Sequence, residues 1–117
     1  MLSDLLVSEL FAFLLVFCRL GTAMMVMPGF SEIYVSMRIR LFLALTFSLV
    51  ITPAINTLPP LPADIFGLTT LIIAELLTGF LIGTMSRMMI SAIHMAGMII
   101  AYQSSLSSAL IPDITQN

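Results

Sequence analysis

The sequence has very little charge and no lysine. Of its 117 residues only 9% are charged, 60% are hydrophobic, and the formal net charge is −2. Soluble domains carry about 25% charged residues, so this chain has too few charges to cover the surface of a soluble globule. The cationic residues are Arg19, Arg38, Arg40 and Arg87. They are too few and too scattered for a nucleic-acid interface. The composition indicates a membrane protein surrounded by lipid or by other protein, with no nucleic-acid partner.

Cysteine and histidine each occur once, which excludes several kinds of site. Cys18 has no second cysteine for a disulfide, and no Cys/His spacing suits zinc. No nucleophile–base pair can be assembled around His94, and the acids are too scattered for hydrolysis. We therefore expect no catalytic residue, no cofactor and no metal. His94 is interpreted as a hydrogen-bonded core residue, with proton relay as the alternative.

Long apolar runs dominate what remains. They predict helices at about 5–27, 39–52, 65–83 and 85–102, with a proline loop at 53–64 and a polar loop at 103–117. The second run is short for a full span, which leaves a tilted helix, a half-span or a helix buried in protein. Arg38 and Arg40 favour a cytoplasmic location for the 28–40 loop. The expected fold is all-α: one domain of membrane-integral helical hairpins, with about four hydrophobic helices, inside a larger multi-subunit assembly.

The segment from Glu75 to Gln103 is long enough for a helical hairpin or for one very long helix, with a weak break at Gly83-Thr84. Gly79 and Gly83 lie one helical turn apart, and such small-residue pairs let neighbouring helices approach closely. Further pairs at the same spacing are Ala92/Ala96 and Gly97/Ala101. These pairs predict tight helix packing, with partners in this chain or in others.

Glu75 is the most informative charge. A carboxylate in the middle of a membrane helix costs several kcal/mol unless it is paired, protonated or wetted. Arg19 or Arg87, from another segment or subunit, could pair with it. On one straight helix Arg87 is too far away, since twelve residues span about 18 Å. An aqueous path through which Glu75 carries protons is the alternative. Arg19, Glu75 and Arg87 are therefore candidate assembly residues.

Two blocks of residues resemble a known family. The first is Arg19-Leu20-Gly21, then Met27-Pro28-Gly29-Phe30-Ser31-Glu32, then Arg38-Ile39-Arg40 before a leucine-rich run closed by Pro53. The second is Glu75, Gly79 and Gly83, followed by Ala96-Gly97 and Gln103. Together they resemble the N-terminal half of the FliR family of the flagellar export apparatus and its T-type counterparts in virulence secretion.

The resemblance implies a component of the type III export gate in the bacterial inner membrane, within the flagellar basal body. It would form the conduit for unfolded exported proteins with P- and Q-type subunits, next to the B-type subunit. A loop that helps to plug the closed channel would comprise Gln103, Ser104, Ser105, Leu106, Ser107, Ser108 and Ala109. The sequence departs from the family pattern at Ser105 and Ser108.

Two other functions remain open at this point. The chain could be a small secondary transporter or an ion-channel subunit that uses Glu75 and His94 as a proton path. Because the resemblance covers only one half of the family sequence, it could also be an inactive truncated fragment.

Overall fold

The computed structural model describes residues 1–30, 33–57 and 59–104. Within these ranges the chain forms helix α1 (Leu2–Val26), helix α2 (Met37–Ile51) followed by a 3-10 turn (Thr52–Ala54), and helix α3 (Ile65–Gln103). These described residues contain no β-strand. The all-α prediction is confirmed, with three long helices in the place of about four.

Helix α1 ends where the sequence predicts it. Met27 has the extended backbone that a residue before proline favours, with φ −61° and ψ 131°. Gly29 adopts φ 93°, a conformation that side chains with a Cβ rarely tolerate. The Pro28-Gly29 pair therefore turns the chain away from α1.

Helix α2 is extended by the 3-10 turn that contains Pro53. The two elements together form an apolar helical segment of 18 residues, Met37–Ala54. At 1.5 Å per residue this segment is about 27 Å long, close to the thickness of the hydrocarbon core. The predicted 39–52 helix is therefore longer at both ends, and it is long enough to cross a membrane.

The core lies between α1 and α2. Leu15 is 1% exposed and Ala44 is 2% exposed. The buried hydroxyl of Ser48 donates to the carbonyl oxygen of Ala44 at 2.6 Å, and the hydroxyl of Thr52 donates to the backbone carbonyl oxygen of Ser48 at 2.6 Å. Because these hydroxyls bond within their own helix, they can be buried against α1 without an unsatisfied donor.

Helix α3 replaces the two helices predicted at 65–83 and 85–102. It contains 39 residues without interruption, so the predicted break at Gly83-Thr84 is wrong. The hydroxyl of Thr84 donates to the Phe80 carbonyl oxygen at 2.7 Å, and that of Ser86 donates to the Ile82 carbonyl oxygen at 2.9 Å. These polar side chains are satisfied inside the helix, where hydrocarbon offers no competing partner.

The chain divides into two compact units, one from Met1 to Arg87 and one that begins at Met88. The single-domain organisation stays a prediction. All three long helices are apolar enough to cross a membrane, yet only 6% of the most apolar stretch of α3 is buried within the chain. Lipid or other protein must therefore cover most of this helix.

Candidate functional site

Arg19 of α1 and Glu75 of α3 form a two-pronged ion pair. Arg19 Nε donates to Glu75 Oε2 at 2.5 Å, and Arg19 Nη2 donates to Glu75 Oε1 at 2.9 Å. A guanidinium that meets both carboxylate oxygens fixes the relative orientation of the two groups as well as neutralising their charge. This contact joins two helices that are far apart in sequence.

The two side chains of the pair are exposed to different degrees. The side chain of Glu75 is 17% exposed and that of Arg19 is 48% exposed. In a low-dielectric environment an unpaired carboxylate would be costly, and pairing removes most of that cost. Sequence analysis left Arg19 and Arg87 open as partners of Glu75, and the structure pairs it with Arg19.

Directly after the pair, α3 presents two glycines to α1. A Cβ at Gly79 would overlap the carbonyl oxygen of Arg19 and lie 3.1 Å from Thr22 Cβ. A Cβ at Gly83 would lie 2.9 Å from the carbonyl oxygen of Ala23 and 2.9 Å from Val26 Cβ. Only glycine permits this approach of the two backbones.

The order of these contacts also gives the helix direction. Residues 19 and 22 of α1 meet residue 79 of α3, and residues 23 and 26 meet residue 83. Because both sets of numbers rise together, α1 and α3 run in the same direction. We call this contact the α1–α3 seam, formed by Arg19, Thr22, Ala23, Val26, Glu75, Gly79 and Gly83.

Sequence reasoning did not identify the α1 side of the seam, apart from Arg19. Thr22 and Ala23 are small residues, and they lie within one turn of Arg19. That spacing is the signal that could have revealed them, since small residues near a membrane charge favour close helix packing. Gly21 is not part of the seam, because a Cβ there meets nothing within 4 Å.

The remaining candidate packing residues are exposed on the surface of the described part of the chain. A Cβ at Gly97 would meet nothing within 4 Å. Ala96, His94 and Arg87 are exposed. Among residues 1–30, 33–57 and 59–104, Arg87 forms no salt bridge. The assembly roles of Arg87, Ala96 and Gly97 therefore stay predictions.

The predicted plug-like loop is only partly within the described residues. Gln103 is the last residue of α3, and it is exposed. The Ser104 hydroxyl donates to the carbonyl oxygen of Ile100 at 2.7 Å. The remaining predicted plug residues lie outside the described residues: Ser105, Leu106, Ser107, Ser108 and Ala109.

The geometry of the site favours a structural contact. Both carboxylate oxygens of Glu75 accept hydrogen bonds from Arg19. In the part of the chain that the structure describes, no group of His, Cys, Asp and Glu side chains could hold a metal ion. The arrangement can join two membrane helices, and it offers no nucleophile beside a general base.

Comparison with known proteins agrees with the sequence resemblance. Residues 10–117 match the family model of bacterial export proteins, family 1. The flagellar biosynthetic protein FliR of Caulobacter vibrioides is 40% identical over 96 residues, which cover 81% of this chain and 38% of that relative. The chain thus matches well under half the length of this relative. No solved structure matches. The FliR-type resemblance is confirmed, and the chain belongs to the bacterial export proteins, family 1.

Proposed function

We propose that this chain is a membrane subunit of the flagellar protein export apparatus in the bacterial inner membrane. In this proposal its helices form part of the export conduit together with P- and Q-type subunits, and unfolded proteins pass through the assembled channel. Its role is structural, with the B-type subunit as a further neighbour. The 40% identity to a flagellar biosynthetic protein supports the flagellar setting.

One structural observation carries the proposal: the apolar surface of α3 is left uncovered within the chain. From Met88 to Tyr102 the large apolar side chains are at least 40% exposed, including Met88 at 67%, Ile93 at 68% and Met95 at 63%. Unbranched methionine side chains adapt to irregular partner surfaces. The small residues Ala96 and Gly97 would let a neighbouring helix come close. A subunit that docks on other helices needs such a surface.

The proton-transport alternative is less well supported by the site. A carboxylate that carries protons must exchange them with water or with a neighbouring acid or base. Both oxygens of Glu75 instead accept hydrogen bonds from the guanidinium of Arg19, which carries no basic site that could take a proton from the carboxyl group. We therefore assign Glu75 to helix assembly.

We assign the segment from Gln103 to Ala109 to the plug-like loop that the family resemblance implies.

The test is co-isolation of the tagged chain with P- and Q-type subunits from flagellated cells. We expect the wild-type chain to retain both subunits and Glu75→Ala to lose most of them, with a matching loss of motility. Glu9→Ala is the matched control, because Glu9 is an exposed carboxylate on α1 with no part in the seam. It should leave both readouts unchanged.

Two results would contradict the proposal. If the wild-type chain isolates alone and its loss leaves motility intact, it is not an export subunit, and an inactive fragment becomes the better description. If the purified chain alone conducts protons or solutes across vesicles, and Glu75→Gln abolishes that flux, the transporter alternative is correct.

A further inference from the structure

Arg19 has more hydrogen-bond donors than Glu75 can use. A guanidinium carries five N–H groups, one on Nε and two on each Nη atom. Glu75 accepts from the Nε–H and from one N–H of Nη2. The second N–H of Nη2 and both N–H groups of Nη1 donate to no other group within the described ranges. We call these three N–H groups the outer donors of Arg19, and they lie on the edges of the planar group that Glu75 leaves open.

The outer donors are accessible from outside the chain. The side chain of Arg19 is 48% exposed, whereas that of Glu75 is 17% exposed. The seam therefore shields the carboxylate and leaves part of the guanidinium on the surface of the helices. A group that belongs to another molecule can reach the outer donors while the ion pair stays intact.

The position of Arg19 along α1 places these donors inside the apolar layer. From Leu10 to the end of α1 at Val26, Arg19 is the only charged residue. At 1.5 Å per residue it lies roughly 14 Å from Leu10 and roughly 10 Å from Val26. A long cationic side chain in a membrane helix normally reaches toward the interface. Here the bonds to Glu75 hold the guanidinium in place, so the outer donors need an acceptor at that depth.

The surroundings of the pair favour an acceptor from protein over water or lipid phosphate. Within one helical turn of the pair the hydroxyl groups belong to Thr22 and Thr78. They donate to the carbonyl oxygens of Cys18 at 2.6 Å and Ala74 at 2.7 Å. A buried water needs about three polar partners, and this apolar lining offers few. Lipid phosphates lie outside the hydrocarbon core.

Charge determines which kind of acceptor fits. The pair of Arg19 and Glu75 is neutral as a whole. A second carboxylate would add a negative charge without a counter-charge in a region of low dielectric constant, which is costly. A neutral oxygen adds no charge. Amide and hydroxyl side chains form such hydrogen bonds between membrane helices.

We propose that the outer donors of Arg19 bind a neutral oxygen acceptor on a membrane helix of a neighbouring export subunit. The acceptor is the side-chain amide of an asparagine or glutamine, or the hydroxyl of a serine or threonine. Arg19 then joins three helices, because it holds α3 through Glu75 and the partner helix through its outer donors. The inference rests on the proposed function and deepens it, since it names the chemistry that the partner brings to α1.

The first test is co-isolation of P- and Q-type subunits with tagged Arg19→Lys from flagellated cells. Lysine keeps a positive charge beside Glu75, but it lacks the planar group that meets acceptors along separate edges. We expect recovery of one subunit to fall about fivefold, as for the loss of one hydrogen bond between membrane helices.

Glu75→Asp is the matched control for that test. It weakens the same ion pair by shortening the carboxylate, yet it leaves all five N–H groups of Arg19 in place. Recovery of both subunits should stay within about twofold of the wild type. Far-UV circular dichroism confirms that each variant keeps its helices.

The second test locates the acceptor. A diazirine-bearing amino acid replaces Leu76, which is next to Glu75 in sequence and 40% exposed. We expect light to link it to a P- or Q-type subunit, within one helical turn of an asparagine, glutamine, serine or threonine. An apolar residue at that partner position should lower recovery as much as Arg19→Lys does. Combining the two changes should lower it no further, because both remove the same bond.

The outcomes separate this inference from the proposed function. If the wild type retains its subunits and Arg19→Lys retains them as well as Glu75→Asp does, the outer donors bind no partner and only this inference is wrong. Lipid adducts alone from residue 76, or a link to a partner site whose polar side chains are all carboxylates, would also overturn it. A wild-type chain that isolates alone would contradict both.

Discussion

The two parts of α3 are made of similar residues but are covered in different ways. Between Ile65 and Arg87 the helix has Gly79 and Gly83 buried against α1 and Glu75 paired with Arg19. From Met88 to Gln103 it has Gly97 uncovered and its methionines exposed. A small-residue pair therefore predicts where a helix can be approached closely. It does not predict which partner approaches.

The largest effect is expected from a side chain placed in the seam. Gly79→Leu would force α3 away from the Arg19 carbonyl, and we expect the free energy of unfolding in detergent micelles to fall by about 3 kcal/mol. Gly97→Leu is the control in the second part of the helix, where the side chain has open space, and it should cause no loss and a gain of up to about 1 kcal/mol, because leucine is a better helix former than glycine. Equal losses for both variants would remove the distinction between the two parts.

The next effect concerns the ion pair. Glu75→Gln or Arg19→Gln leaves one charge without its partner, and each should lower the free energy of unfolding by about 2 kcal/mol. In the double variant the loss should be smaller than the sum of the single losses, with a coupling energy of about 1 kcal/mol. The measurement is a double-mutant cycle in one detergent. Additive losses would show that the two side chains do not interact.

A smaller effect with opposite signs should distinguish the two glycine positions. Gly97→Ala adds a methyl group in open space, and alanine is a better helix former than glycine, so the variant should gain up to about 1 kcal/mol. Gly83→Ala places a Cβ 2.9 Å from Val26 Cβ and from the Ala23 carbonyl oxygen, and it should lose about 1 kcal/mol. Thermal unfolding followed by circular dichroism provides the comparison. A gain in stability at both positions would mean that α1 does not contact α3 closely at Gly83.

The smallest effect is expected from replacing exposed methionines in the second part. Met88→Leu and Met95→Leu keep similar volumes, and each should change the free energy of unfolding of the isolated chain by less than about 0.5 kcal/mol. The control is Leu15→Ala in the buried core, where about 2–5 kcal/mol should be lost. A methionine variant that loses as much as Leu15→Ala would show that the second part is packed within the chain.

Much of the fold could be predicted from the sequence, because apolar runs and helix-ending residues are local signals. Pro28-Gly29 ends α1, and α3 begins directly after the proline loop and Asp64. The error was at Gly83-Thr84. In water a glycine followed by polar residues weakens a helix, but here Gly83 lies against Ala23 and the Thr84 hydroxyl bonds to the Phe80 carbonyl oxygen. That outcome depends on a neighbouring helix, which local pattern cannot supply.

The candidate site could be predicted only in part, for the same reason. Glu75 needs a cation in hydrocarbon, and two arginines could provide it. The choice of Arg19 depends on the parallel arrangement of α1 and α3, which is a property of the folded chain. Val26 entered the seam through that arrangement, since it is neither charged nor a small residue and nothing in the sequence marks it.

The central claim is that α1 of the same chain packs on one face of the first part of α3, at Gly79 and Gly83, whereas we propose that the second part binds another polypeptide. The most direct test places a small diazirine-bearing aliphatic amino acid at Val26 or at Met98 in intact flagellated cells. We predict that light links residue 26 to α3 of the same chain and links residue 98 to another export subunit. A link from residue 26 to a different polypeptide, or only lipid adducts from residue 98, would contradict the account.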